Sequence, residues 1–465
     1  MWYLLLLLSS FLFAEPIDTL HSLQTKEGPL SYTATTNSLP LRDDKGKVVG
    51  QIYYTAYTLN GADLATRPIT FAFNGGPGCS SQYLHLGAIG PKRILTPEEG
   101  QSVVPPYRWI DNEATLLDRS DLIFIDPIGT GYSRMEGEAD PLPYWSMEGD
   151  IAATAQFIRD YLTSENRWLS PKYLMGESYG TLRAAGLAGK LQTDLGIYLN
   201  GVIFVSSAID FAGLDASNDN FFPFLFLLPT AAATAHYHGR LPRLTLEQAV
   251  NEAREFAYYR YAPALLLGQE LELTEPLSLF TGLPLDAIES SRARIDLFSL
   301  IYDFFSTERK MIGAYDTRTI GDRLPGISWS MSLDPSIYQI DGILSGTLNA
   351  YLRQELRSPL LFPAYSGCSA EAFLSWDWPK GEIPNQMDAL RQAMIQNNKL
   401  KVFVACGFYD AVTPFMATEY LFRHLLLPET YTTRVRFGYY EGGHMFYTNP
   451  NARLAFKEDL SEFYD

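Results

Sequence analysis

Ser178 stands between two glycines in Gly176-Glu177-Ser178-Tyr179-Gly180, after a strand-like run from Lys172 to Met175 and before a small-residue, helix-like run from Thr181 to Leu191. A serine at a sharp strand-to-helix turn takes a strained backbone conformation that lifts its hydroxyl clear of the sheet, and the glycines let strand and helix pass closely. That is the setting of a nucleophile, with the N–H of Tyr179 behind it to help hold an oxyanion as a carbonyl is attacked. A second loop, Asn74-Gly75-Gly76-Pro77-Gly78-Cys79-Ser80-Ser81, follows the apolar run Ile69 to Phe73, and Gly76 is placed to give the second oxyanion N–H. It is no phosphate loop, because no Gly-Lys-Ser/Thr follows. Late in the chain, Asp410 follows one apolar strand and His444, in Glu441-Gly442-Gly443-His444-Met445, follows the last. The order serine, aspartate, histidine is that of a nucleophile, its orienting carboxylate and its base: His444 would take the proton of Ser178 and pass it to the leaving group, while Asp410 would fix the tautomer. Asp410 also reads as the residue that starts the helix after Pro414. His444 has no packing pattern to explain it, whereas His85, His236, His238 and His424 sit on helix-like stretches.

These residues need a scaffold, and the chain supplies one. From Ser31 to Thr58 apolar residues recur at about every second position around a turn from Arg42 to Lys47, the pattern of an antiparallel hairpin. Short apolar runs of buried-strand length follow at Ile69 to Phe73, Leu122 to Ile125, Tyr173 to Met175, Val202 to Val205, Val402 to Ala405 and Val435 to Tyr439. Helix-period segments lie between several of them, such as Ser146 to Leu162 with Ile151, Ala155, Ile158 and Leu162 on one face. Alternating strands and helices predict an α/β fold with a mainly parallel sheet covered on both faces. The alternation breaks between about Asp210 and Lys399, where Phe221, Phe222, Phe224 and Phe226 precede helical patterns over Thr230 to His238 and Thr245 to Leu267. An insertion of that size between two strands predicts a helical cap, giving a core over residues 15–210 and 400–465 and a cap over 211–399.

The 465 residues carry 53 acidic and 36 basic side chains, a formal charge of -17, with no dense lysine or arginine cluster. Nucleic acid is therefore excluded as a partner class. Leu4 to Leu8 and Phe11 to Phe13, ahead of Ala14, form an apolar run too short to span a bilayer, which predicts a secretory signal over residues 1–14. No later stretch reaches about 18 apolar residues, so no membrane anchor is expected after signal removal. Three cysteines, Cys79, Cys368 and Cys406, match no zinc or redox spacing. Cys406 lies in a continuous apolar strand, which leaves Cys79 and Cys368 as the better disulfide candidates.

Together, Phe73 to Ser81 (FNGGPGCSS), Asp126 to Ser133 (DPIGTGYS), Gly176 to Gly180 (GESYG), Gly407 to Pro414 and Gly443-His444 resemble the serine carboxypeptidase family. Leu228-Pro229 through His238-Gly239 and Gly313 to Arg318 look more like its bacterial branch. The resemblance implies an α/β-hydrolase fold, removal of C-terminal residues from peptides or proteins through an acyl-enzyme, and no metal or organic cofactor. By position, Ser178, Asp410 and His444 match the triad, Gly76 and Tyr179 the oxyanion donors, and Asn74, Gly75 and Glu177 residues that bind the substrate's terminal carboxylate. Cys79 matches a cysteine bridged to the insertion in many members. The Asp126 to Ser133 loop reads as scaffold.

One departure bears on substrate. Where the family has a second glutamate near Glu177, in a glutamate-x-glycine-proline stretch, this chain reads Ala88-Ile89-Gly90-Pro91. Two carboxyls sharing a proton can donate to a carboxylate, and Ala88 removes one of them. Exopeptidase action is then expected to be weaker or confined to acid, with esters or amides competing. Two other readings stand beside the leading one: an esterase, amidase or acyltransferase on the same triad, and a silent binding protein on a hydrolase scaffold.

Overall fold

The chain opens with three antiparallel strands: β1 (Ile17–Thr25), β2 (Gly28–Arg42) and β3 (Val48–Leu59). The turn between β2 and β3 is closed by Asp43, whose Oδ1 accepts from the N–H groups of Lys45 at 3.0 Å and Lys47 at 2.9 Å. The computed structural model describes residues 16–26, 28–217, 219–359 and 364–465. The signal predicted over residues 1–14 lies outside them.

Six short strands follow: β4 (Ile69–Phe73), β5 (Asp121–Ile125), β6 (Lys172–Ser178), β7 (Gly201–Ser207), β8 (Lys401–Gly407) and β9 (Val435–Tyr440). Every residue of β4, β5 and β7 is buried, because helices cover both faces and leave no side for polar alternation. The sheet order is β1-β2-β3-β5-β4-β6-β7-β8-β9, with Arg134–Met135 pairing β3 as a tenth, two-residue strand. From β5 to β9 all neighbours run parallel. This is the predicted α/β-hydrolase arrangement, in which loops at the C-terminal ends of the parallel strands gather at one edge.

Helices α1 (Met147–Ser164) and α2 (Tyr179–Leu195) cover one face. Ser146 starts α1 as predicted, its hydroxyl accepting from Gly149 N at 3.1 Å. Side chains such as Phe71, fully buried between the layers, each stabilise by about 1.5–3 kcal/mol.

Between β7 and β8 the chain is largely helical. α3 (Phe222–Tyr237) begins at the phenylalanine run, and α4 (Leu246–Phe256) passes through a π-turn at Ala257–Tyr261 into α5 (Ala262–Leu267). The segment over 211–399 is not all cap. Helix α6 (Asp341–Gln354) buries Leu344, Leu348 and Tyr351 against the second face of the sheet, where Tyr57 donates its phenol to that of Tyr351 at 3.1 Å. Helix α7 (Met387–Gln396) lies on α2, with Gln192 Nε2 donating to Gln396 Oε1 at 2.8 Å. Both helices have apolar faces that the layers bury, which the loss of strand alternation concealed. After β8 come α8 (Phe415–Arg423) and, at the end, α9 (Pro450–Tyr464), whose Phe456, Leu460 and Phe463 pack on the second face.

Candidate active site

Ser178 ends β6 and caps α2 with φ 58° and ψ -130°, a left-handed conformation that a non-glycine residue holds only under constraint. The constraint is visible. Thr181 Oγ1 donates to Ser178 O at 2.6 Å and accepts from Ala208 N at 2.8 Å, tying the elbow to the end of β7. A Cβ on Gly176 would come within 2.1 Å of Gly180 O, so the strand and helix cross where only glycine fits. The glycine loop after β4 lies directly against this turn: a Cβ on Gly75 would meet Tyr179 N at 2.4 Å and Gly180 N at 2.6 Å. As the first residue of α2, Tyr179 has an N–H with no acceptor in its own helix, so it is available to an anion.

Arg183, one turn into α2, explains how the glycine loop is held and was not singled out from the sequence. It is fully buried, donates from Nε to Asp150 Oδ2 at 2.7 Å and from Nη1 to Asn74 O at 2.7 Å, and its guanidinium lies 5.1 Å from the Phe73 ring. A charge buried this way is tolerated because Nε is paired with a carboxylate and Nη1 with a backbone carbonyl, although Nη2 is buried without a hydrogen-bond partner.

Asp410 and His444 sit at the C-terminal ends of the neighbouring strands β8 and β9. His444 Nδ1 is 2.8 Å from Asp410 Oδ2, and both side chains are buried. Asp410 also does the local work its turn position suggests: Oδ1 accepts from Val412 N at 3.0 Å and Thr413 N at 2.9 Å, and Oδ2 from Thr413 Oγ1 at 2.5 Å. With its lone pairs so occupied, the carboxylate fixes Nδ1 as the protonated nitrogen and leaves Nε2 free to accept. Burial opposes the charged imidazole, but the charge of Asp410 and its hydrogen bond outweigh burial and raise the His444 pKa above the ordinary histidine value.

Both loops lean on the insertion. His444 N donates to Tyr315 O at 2.5 Å, the Tyr315 ring meets the imidazole edge-on at 5.2 Å, Ala411 N donates to Ala314 O at 3.1 Å, and Thr317 N to Tyr409 O at 3.0 Å. Two segments of the insertion, 228–239 and 313–318, meet here, since Thr234 Oγ1 and Thr317 Oγ1 are 2.6 Å apart and His238 Nε2 lies 2.8 Å from Thr317 O. From the core, Ser206, itself at φ 50°, donates its hydroxyl to His444 O at 2.6 Å.

Glu177 lies beside the elbow, 2% exposed, and accepts from the phenol of Tyr447 at 2.7 Å. Burial pushes its carboxyl up to about 7, partly offset by His444, Tyr447 and Asn74. Asn74, 2% exposed, stands in side-chain reach of both Glu177 and Tyr447, and its Oδ1 accepts from Leu84 N at 3.1 Å. Glu177 and His444 lie near enough for each charge to favour the other, and Ser178 is the next residue along. Ala88 is buried in the π-helical turn Leu84–Ile89. Sequence reasoning missed Tyr447, whose only signal was its position three residues after His444.

Cys79 is disulfide-bonded to Cys368 across 289 residues of sequence, with Ser80 N donating to Gly367 O at 2.7 Å and Ser369 N to Gly78 O at 2.8 Å. Cys406 is free and buried, as its strand context predicts. Asp126 supports this region from below: its Oδ1 accepts from Ser81 N at 3.1 Å and the Tyr365 phenol at 2.8 Å, and burial lifts its carboxyl to about 7.

Residues 43–212 match the model of the serine carboxypeptidase family. A pheromone-processing carboxypeptidase of Yarrowia lipolytica is 29% identical over 154 residues, 32% of this chain and 23% of that protein. Serine carboxypeptidase-like 50 of Arabidopsis thaliana is 27% identical over 211 residues, 42% of this chain and 40% of that protein. The chain thus spans less than half the length of these curated relatives. Among solved structures, a proline iminopeptidase of Mycobacterium smegmatis covers 92% of this chain and 98% of its own at 13% identity and a TM-score of 0.38. An acetylester hydrolase of Corynebacterium glutamicum covers 93% and 95% at 12% identity and a TM-score of 0.39. The likeness to the serine carboxypeptidase family thus lies in residues 43–212, the segment that carries both the glycine loop and the elbow.

Proposed function

We propose that this chain is an exported serine carboxypeptidase of the bacterial-type branch, with Ser178 as nucleophile, His444 as base and Asp410 as its orienting carboxylate. The observation that carries the reading is the hydrogen-bonded, buried His444–Asp410 pair at the same sheet edge as a serine held at φ 58°. His444 Nε2 takes the Ser178 proton as Oγ bonds to the scissile carbonyl carbon, and the resulting oxyanion is received by the N–H groups of Gly76 and Tyr179. The proton passes to the leaving nitrogen, the C–N bond breaks, and the C-terminal residue departs. Water, deprotonated by His444, then attacks the acyl-enzyme and returns Ser178. Asn74, Gly75 and Glu177 surround the place for the substrate's terminal carboxylate, and a neutral Glu177 would donate to it. Export is supported by the Cys79–Cys368 disulfide, since such bonds persist in oxidising compartments. None of the described helices is long and apolar enough to cross a membrane.

Ala88 supports a second reading, an esterase, amidase or acyltransferase on the same residues, because it leaves Glu177 without a second carboxyl. The test compares a blocked dipeptide with its amide and ester from about pH 4 to 8. Release of the C-terminal amino acid, lost in Ser178→Ala, is expected. Turnover of amide and ester with the free acid ignored would make the second reading the better one, and no turnover with no labelling by a serine-directed phosphonate would leave only a binding protein.

A further inference from the structure

Glu177 lacks a carboxyl partner, yet it is not unpartnered. Tyr447 sits in the single helical turn Phe446–Thr448, immediately after the His444 loop, with its side chain fully buried. Its phenol donates to Glu177 Oε2 at 2.7 Å. Its ring lies against the turn that carries Ala88: a Cβ on the preceding Gly87 would fall 2.9 Å from the ring's Cε2. Phenol and carboxyl thus meet beside Ala88, with Asn74 in reach of both.

We infer that Tyr447 takes the place of the second carboxyl: by donating to Oε2 of Glu177 it leaves Oε1 as the oxygen that carries the proton and offers it to a peptide's terminal carboxylate. The inference rests on the carboxypeptidase reading. Its chemistry differs from that of a shared-proton pair. Two carboxyls hold one proton between them and titrate together, whereas a phenol is a permanent donor that lets one carboxyl titrate alone. Burial, and then the charge of Glu177, keep the Tyr447 phenol protonated well above the usual tyrosine range. The other titratable groups facing Glu177 are His444, which favours its charge, and Asp410, which opposes it, while Tyr83 faces Tyr447. Tyr447 acts through Glu177 and is therefore a positioning residue.

Tyr447→Phe in the full chain keeps the ring against Gly87 and removes only the donor. The expected result is a fall of about tenfold in the ratio of kcat/KM for a blocked dipeptide acid to that for its amide, the worth of one hydrogen bond to a charged group, with the loss carried by KM of the acid. In a Glu177→Gln background the same substitution should no longer change that ratio. An equal loss on acid and amide, or additive effects in the double variant, would show a merely structural tyrosine and overturn the inference. Should Tyr447→Phe fold poorly, Tyr447→Trp keeps an aromatic ring but turns its N–H elsewhere, and a retained acid preference there would equally overturn it. Wild-type protein that cleaves the acid with Tyr447→Phe unaffected sinks this inference alone, whereas wild-type protein that ignores the acid sinks the carboxypeptidase reading and the inference with it.

Discussion

The proposed nucleophile is positioned by contacts made within residues 73–208, whereas the proposed base and its carboxylate are held by Ser206 of the core and also by backbone bonds to Ala314, Tyr315 and Thr317 of the insertion. Around Ser178 the fit is one of close approach: glycines at 75 and 176 stand where any side chain would collide, and Arg183 braces the loop from a buried position. Around His444 the fit is borrowed. The insertion acts as a buttress, so a shift of the 313–318 segment would carry the imidazole with it. The segment that matches the family model, residues 43–212, contains the first of these regions, which the Cys79–Cys368 disulfide ties to the insertion at the glycine loop.

The comparison can be broken most severely at Asp410. Asp410→Asn presents an amide to Nδ1 and favours the wrong tautomer, so kcat on the amide substrate should fall by about 10⁴-fold while KM holds. Steady-state kinetics that show a loss under tenfold would mean that Asp410 only shapes its turn. Next in size is a stability effect in the other region. Glu177 keeps its proton up to about 7 when folded, against 4.5 as its ordinary value. Between those values the folded state binds a proton that the unfolded state releases, so stability is greatest below the lower value and declines as pH rises to the upper, by about 3 kcal/mol. Glu177→Gln removes that decline. Urea unfolding of both proteins at pH 4 and 8 should show the variant gaining about 3 kcal/mol relative to wild type, with the raised Asp126 cancelling because both chains have it. A pH-independent difference would mean that Glu177 ionises like an exposed carboxyl. The smallest effect is expected from Thr317→Val, which deletes the hydroxyl contact with Thr234 behind the base. About 1 kcal/mol of stability should be lost together with a several-fold fall in kcat, without the phosphonate-accessible fraction of Ser178 changing. Equal kcat would show that the buttress does not reach the chemistry.

What could be read from the sequence follows the same division. The buried strands declared themselves as apolar runs, and the hairpin from Ser31 to Thr58 as alternation, because both faces or one face of the sheet impose those periods. The elbow and the glycine loop were legible because close approach leaves glycine as the only fit. Strand β1 was missed: with only Thr19 and Leu23 buried, its alternation is too thin to register. Arg183, Ser206 and Tyr447 were missed for another reason. Their partners Asn74, His444 and Glu177 lie 109, 238 and 270 residues away, and no local pattern marks a bond of that span. The insertion misled by its length, since α6 and α7 look like its other helices until the faces they cover are seen.

Gly75 carries a consequence for relatives of this chain. The atom that any other residue would add there falls 2.4 Å from Tyr179 N, 2.6 Å from Gly180 N and 2.8 Å from Glu177 O, all backbone atoms of the elbow. A single carbon is then enough to push aside the turn that carries Ser178, so a chain can keep all three proposed catalytic residues and still lose their alignment. In a collection of sequences, silent members can be sought at this one column, even where serine, aspartate and histidine are all in place.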